Sequence, residues 1–158
     1  MPRDYYLTFT DSRCVIGESS YPGIPLLIGP DDHVFAVASD WLRMLIVTKG
    51  APASSVRQFA YHLKYWWEYL SRIRTAWDEV EDMVVVRWRD AELQDLDPRT
   101  VNGYISTVFR MYLWAERRGY VAGLIGEQDI TANRQFPLTV IVNTDRRGHR
   151  RLVSPFLR

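Results

Sequence analysis

Between Asp97 and Gly119 the chain is punctuated as a helix at both ends. Asp97 can accept from the free amide groups of a first turn, Pro98 loses no bond at the first helical position, and Gly119 suits the left-handed residue that closes a helix. Val101, Ile105, Val108, Tyr112 and Ala115 recur between these signals at spacings of three and four, giving one continuous apolar face. A second stretch keeps the same period through Val56, Phe59, Ala60, Leu63, Trp66 or Trp67, Leu70 and Ile73, opening where Ser55 and Gln58 have the spacing of a capping box. Two long amphipathic helices make the expected fold mainly α.

Two further helices fill the gaps. Val34, Val37, Trp41, Met44 and Leu45 share a face, with Asp32 placed as a cap before them and Gly50 after them. Residues 81–93 read as a helix flanked by acids, although Val84, Val85 and Val86 are β-branched. The expected organisation is therefore an N-terminal arm or hairpin over 1–30, a four-helix domain over 31–126, and a strand with a basic linker over 127–158. In the first of these, 6–10 and 13–16 are short β-prone runs, and Pro22, Gly23, Pro25, Gly29 and Pro30 interrupt any regular element beyond them. The arm reads either as an accessory binding segment or as a packing element. In the last, 136–142 reads as a strand and 145–151 as a cation-rich turn or tail.

With 158 residues, 47% of them apolar, the chain can bury the core of roughly one domain. Its apolar runs, such as Met44 to Val47, fall far short of the roughly 18 to 20 residues that span a bilayer, so no membrane association is expected. The first residues lack a secretory pattern, and Cys14 is the sole cysteine, which fits a reducing cytoplasm. His33, His62 and His149 are scattered without metal-ligand spacing, and there is neither a glycine-rich phosphate loop nor a nucleophile elbow. No metal, small-molecule cofactor or catalytic residue is expected. Glu79, Glu81, Asp82, Asp90 and Glu92 read as a solvated helix face, and Cys14 as a small buried apolar residue.

A formal charge of +1 conceals an uneven distribution. Residues 131–158 carry six Arg against Asp145 alone, and the helix from Pro98 to Arg118 carries four Arg against Glu116. Eighteen of the 20 cationic side chains are Arg, whose planar fork suits phosphates and base edges.

The run Thr100-Val101-Asn102-Gly103-Tyr104-Ile105-Ser106, with Trp114-Ala115 and the terminal Gly119, resembles the last helix of the SAM-like, core-binding domain of tyrosine recombinases, the phage-type integrases. Ser54-Ser55-Val56 with Phe59, Tyr61, Leu63 and Trp67 is similar to that family's second helix, and Trp77-Asp78-Glu79-Val80 to its entry into the third. The resemblance covers about residues 32–125. Phe109 departs from it, standing where the family often has Arg or Lys, and His149-Arg150-Arg151-Leu152 does not match the family's catalytic His-x-x-Arg. What the resemblance implies is a SAM-like four-helix core-binding domain with a short N-terminal β or extended arm and a C-terminal strand. It further implies the DNA-gripping half of a strand-exchange enzyme whose catalytic domain lies beyond the chain's end, in a bacterial or phage setting and nucleoid-associated. Its partners would be double-stranded DNA and other protomers of a recombinase assembly.

Candidate DNA contacts follow from helical spacing. Arg57, Tyr61 and Lys64 share one helix face, and Arg99, Asn102, Ser106 and Arg110 share another. For Arg57 and Lys64 the competing reading is surface ion pairing with Glu68, and for Tyr61 it is the edge of the core. Asn102 also reads as a polar residue near a helix start, and Ser106 as a site of close packing. Arg146, Arg147, Arg150 and Arg151 read equally as a tail meeting phosphates or as a solvated turn. A helical protein-interaction module without DNA binding is the alternative to the whole reading.

Overall fold

A computed structural model of the chain describes residues 5–128 and 135–158, in two compact units, Met1–Tyr69 and Leu70–Arg158. Arg134, one of the C-terminal cations counted above, lies outside the described residues. Four α-helices and three small sheets are present among those described.

In the first unit, β1 (Tyr6–Phe9), β2 (Val15–Ile16), β3 (Ser19–Ser20) and β4 (Pro25–Ile28) form two antiparallel pairs, β1 with β4 and β2 with β3. The prolines and glycines were expected to prevent any element after residue 21, and β4 corrects that. Pro25 is the first residue of the strand, where a missing N–H breaks least of the ladder, and Leu27 and Ile28 beyond it are buried. The strand is tied on to the next helix, because Phe35 N–H donates to the Leu27 carbonyl and Leu27 N–H donates to Ser39 Oγ.

Helix α1 (Ala36–Val47) starts later than an Asp32 cap would place it. Asp32 takes a left-handed conformation, φ 59°, in a turn that returns Val34 to bridge Ile28, and its carboxylate accepts from the Tyr6 hydroxyl instead. Val34 is accordingly exposed, while Val37, Trp41 and Leu45 are buried as the spacing predicts. Helix α2 (Ala53–Arg72) starts before Ser55, because the Pro52 carbonyl already accepts from the Ser55 and Val56 amides. Ser55 therefore sits inside the first turn and no capping box forms. Val56, Ala60, Leu63, Trp66, Trp67 and Leu70 are buried, which settles both tryptophans as interior, whereas Ile73 lies past the helix end and is exposed. His62 is buried beside Phe59, and the loss of water around it lowers its pKa to about 4.

The second unit begins with the last turn of α2. Helix α3 (Asp82–Arg87) passes into a wider π-helical turn over Trp88–Glu92, so the expected helix over 81–93 is present with a change of winding at the buried Trp88. Helix α4 (Pro98–Arg118) has the boundaries its end signals dictate. Asp97 Oδ1 accepts from Thr100 N–H at 2.9 Å, and Gly119 closes the helix at φ 83°. All five residues of its expected apolar face are buried, and the Tyr112 hydroxyl donates to the Trp77 carbonyl.

Beyond α4, β5 (Ile125–Glu127) runs parallel to β6 (Leu138–Thr144), which pairs antiparallel with β7 (Arg150–Val153). One strand was expected here and a three-stranded sheet is found. Two carboxylates tie the sheet to the helices. Glu116 accepts from the Gly123, Leu124 and Ile125 amides, and Asp82 accepts from both the amide and the hydroxyl of Thr139. Asp82 is thus a structural anchor, a correction to its reading as part of a solvated acidic face.

Candidate nucleic-acid interface

In the first unit, Arg57, Tyr61, Lys64 and Glu68 recur at three and four along α2 and fall within about a 60° arc at 100° per residue. Arg57 is exposed, and its guanidinium carbon lies 4.9 Å from the ring centre of Phe9 on β1 and 6.0 Å from that of Tyr61. Such stacking holds the planar fork in place while leaving its edge N–H donors available. Tyr61 is 38% exposed, so its ring is at the surface. Lys64 is half-buried and paired with Glu68 Oε1 at 2.5 Å, and its ammonium sits 5.2 Å from the Tyr65 ring centre. Of the two cations on this face, Arg57 is the one without a carboxylate among the described residues.

In the second unit, Arg99, Asn102, Ser106 and Arg110 fall within about an 80° arc of α4, roughly opposite the buried Val101, Ile105, Val108, Tyr112 and Ala115. Arg99 and Arg110 are exposed, whereas Asn102 and Ser106 are half-buried. Partial desolvation lowers the Arg110 guanidinium from its ordinary value, and it still carries its charge at any physiological pH.

Asn102 is engaged elsewhere. Its Nδ2 donates to the Arg158 carbonyl at 2.7 Å, and its Oδ1 accepts from the Arg158 amide at 2.6 Å, so the side-chain amide satisfies both backbone groups of one residue. Arg89 Nη1 donates to the Phe156 carbonyl, Arg158 reaches Asp90, and the Phe156 ring lies 6.4 Å from that of Phe109. Phe109 is seven residues beyond Asn102, in the same column of the helix, and it is buried. The segment after β7 therefore covers one flank of α4. Arg99 and Arg110 lie outside that column. No local signal in the sequence marks this contact, which joins residues 56 positions apart.

The cation-rich stretch after β6 is a defined hairpin. Asp145 Oδ1 accepts from the Arg147 and His149 amides at 2.9 Å each, the Gly148 amide donates to the Asp145 carbonyl, and Gly148 adopts φ 82°. His149 Nδ1 lies 3.3 Å from Asp145 Oδ2. Arg146 and Arg147 occupy the turn and Arg150 and Arg151 open β7, all four exposed. None of the four has a carboxylate partner among the described residues.

No helix among the described residues is long and apolar enough to cross a membrane, and no group of three or more metal-ligating side chains occurs among them. Neither a curated protein nor a solved structure matches the chain. The family model of the phage integrase N-terminal SAM-like domain does match, over residues 38–119, from early α1 to the glycine that closes α4. That match spans more than half of the sequence, and the chain belongs to the phage integrase N-terminal SAM-like domain family.

Proposed function

We propose that this chain is the DNA-binding part of a site-specific tyrosine recombinase and grips duplex DNA at a recombination half-site. The observation that carries this reading is the family match, which spans the segment containing Arg57, Tyr61, Lys64, Arg99, Asn102, Ser106 and Arg110. In this reading Arg57, Arg99 and Arg110 hold phosphates, with Lys64 contributing through a charge it shares with Glu68. Tyr61 lines the α2 face beside Arg57 and Lys64, and Ser106 lets the backbone of the duplex approach α4 closely. Asn102 contributes by holding the chain that follows β7, and makes a base or phosphate contact only if that segment leaves. Strand cleavage and rejoining belong to a separate catalytic domain of the full recombinase, with other protomers on the same DNA.

A salt titration of duplex binding tests the reading. Non-specific complexes of this kind have dissociation constants of roughly 10⁻⁴ to 10⁻⁶ M at physiological salt, with log K falling by about 0.9 per phosphate contacted for each unit of log salt. Arg99→Glu combined with Arg110→Glu is expected to abolish binding, with circular dichroism checking that the helices are retained. Undiminished affinity in that double variant would remove α4 from the interface. Binding to a protein partner, with no affinity for duplex, would favour the interaction-module alternative.

A further inference from the structure

The β6–β7 hairpin carries its cations in an arrangement that a flat contact with one phosphate strand would not need. Asn143 pairs with Arg151 and Thr144 with Arg150, and successive residues of a strand point to opposite faces. Arg150 and Arg151 therefore project from the two sides of the ribbon, while Arg146 and Arg147 sit at its tip. From Asn143 to Arg151 the ribbon carries four guanidiniums against Asp145, one oxygen of which is taken up by the Arg147 and His149 amides. A surface lying on one row of phosphates would be charged on one face. A ribbon charged on both faces and at its end matches a slot with phosphates along both walls.

We propose that this hairpin enters the major groove of duplex DNA as a two-stranded ribbon, with Arg150 and Arg151 on opposite phosphate walls and Arg146 and Arg147 at the groove floor. The dimensions agree. The major groove, about 12 Å wide and about 8.5 Å deep, admits a two-stranded ribbon without distortion, whereas the minor groove, about 6 Å wide, would have to be opened to take one. Two paired positions rise about 7 Å, and the turn supplies the remaining depth. At the floor, arginine is suited to the O6 and N7 acceptors of guanine, so a preference for G·C pairs under the tip follows. The inference rests on the DNA-binding reading above and adds to it an element outside the matched segment 38–119.

The test compares the full chain with a variant carrying Arg146→Gln, Arg147→Gln, Arg150→Gln and Arg151→Gln, which keeps Asp145 and Gly148 and hence the turn. Binding to a short mixed-sequence duplex is followed by fluorescence anisotropy over a range of salt, with circular dichroism to confirm an unchanged fold. The variant is expected to show a log–log salt slope shallower by about 2, from the two phosphate contacts of Arg150 and Arg151 at about 0.9 each. Methyl green, which occupies the major groove, is expected to displace the unaltered chain, and distamycin, which occupies the minor groove, is not. An unchanged slope in the quadruple variant, or displacement by distamycin alone, overturns the inference. If the unchanged slope accompanies lost binding in the Arg99→Glu, Arg110→Glu variant, DNA binding through α4 stands and the groove-entering hairpin falls. If the unaltered chain has no affinity for duplex, both fall.

Discussion

Replacing His62 with Gln should remove most of the stability change between pH 7 and pH 5. His62 is 6% exposed on α2, and desolvation holds its folded-state pKa at about 4 against an ordinary value of 6.5. As pH falls, the unfolded chain takes up the proton first, so the native state is progressively disfavoured. The contribution is complete above about pH 6.5, where the imidazole is neutral in both states, and it drains away as pH falls from there to about 4. Linkage with these two values gives a loss of about 2 kcal/mol between pH 7 and pH 5, growing to about 3 kcal/mol at pH 4. In a chain of this size about 2 kcal/mol corresponds to a fall in Tm of about 4 to 8 °C. Urea unfolding at pH 7, 6 and 5, followed by tryptophan fluorescence, measures it directly. The Gln variant serves as its own baseline, since its absolute stability is irrelevant and only the pH dependence counts. Three hydrogen-bonded carboxylates lie outside this window. Asp11, held down by Arg13, Asp90 by Arg89 and Asp97 by the Thr100 amide all have lowered pKa values, so their contribution is lost at more acid pH. Parallel stability curves for the two proteins from pH 7 to pH 5 would refute the reasoning and show that His62 is solvated or paired as imidazolium.

Two other perturbations probe the second unit. Tyr112→Phe leaves the Trp77 carbonyl without its donor and should cost about 1 to 2 kcal/mol in urea unfolding; a cost near zero would mean that water replaces the hydroxyl. Asn102→Ala should release the segment after β7, seen as faster hydrogen exchange at the Arg158 amide with α4 helicity retained; unchanged protection there would assign the hold to Arg89 and Phe156 instead.

The legibility of each element follows the range of the forces that fix it. Helix α4 could be bounded to the residue because Asp97, Pro98 and Gly119 act on their own neighbours. Helix α1 could not, because Asp32 is diverted by a turn that the Ile28–Val34 bridge closes. Strand β4 was hidden by Pro25, whose tolerance depends on pairing with Phe9, a residue far back in the chain. The sheet formed by β5, β6 and β7 depends on Glu116 and Asp82 reaching across the sequence to backbone amides, and periodicity carries no trace of that. Among candidate contacts, the exposure of Arg57, Arg99 and Arg110 was readable from helical phase. The engagement of Asn102 with Arg158 was not, nor was the ordering of the cationic turn around Asp145, which makes a hairpin of what composition alone leaves between a tail and a turn.

The strand β4 has a practical consequence for anyone wishing to move this module into another protein. A piece trimmed to 38–119 would begin inside α1, leave Ser39 without the Leu27 amide, and strip Ile24, Leu27 and Ile28 from the interior they help to build. It would also remove the Phe9 ring on which the Arg57 guanidinium rests. The transplantable unit is wider than its family signature, and grafts should carry the chain from Tyr5 onward.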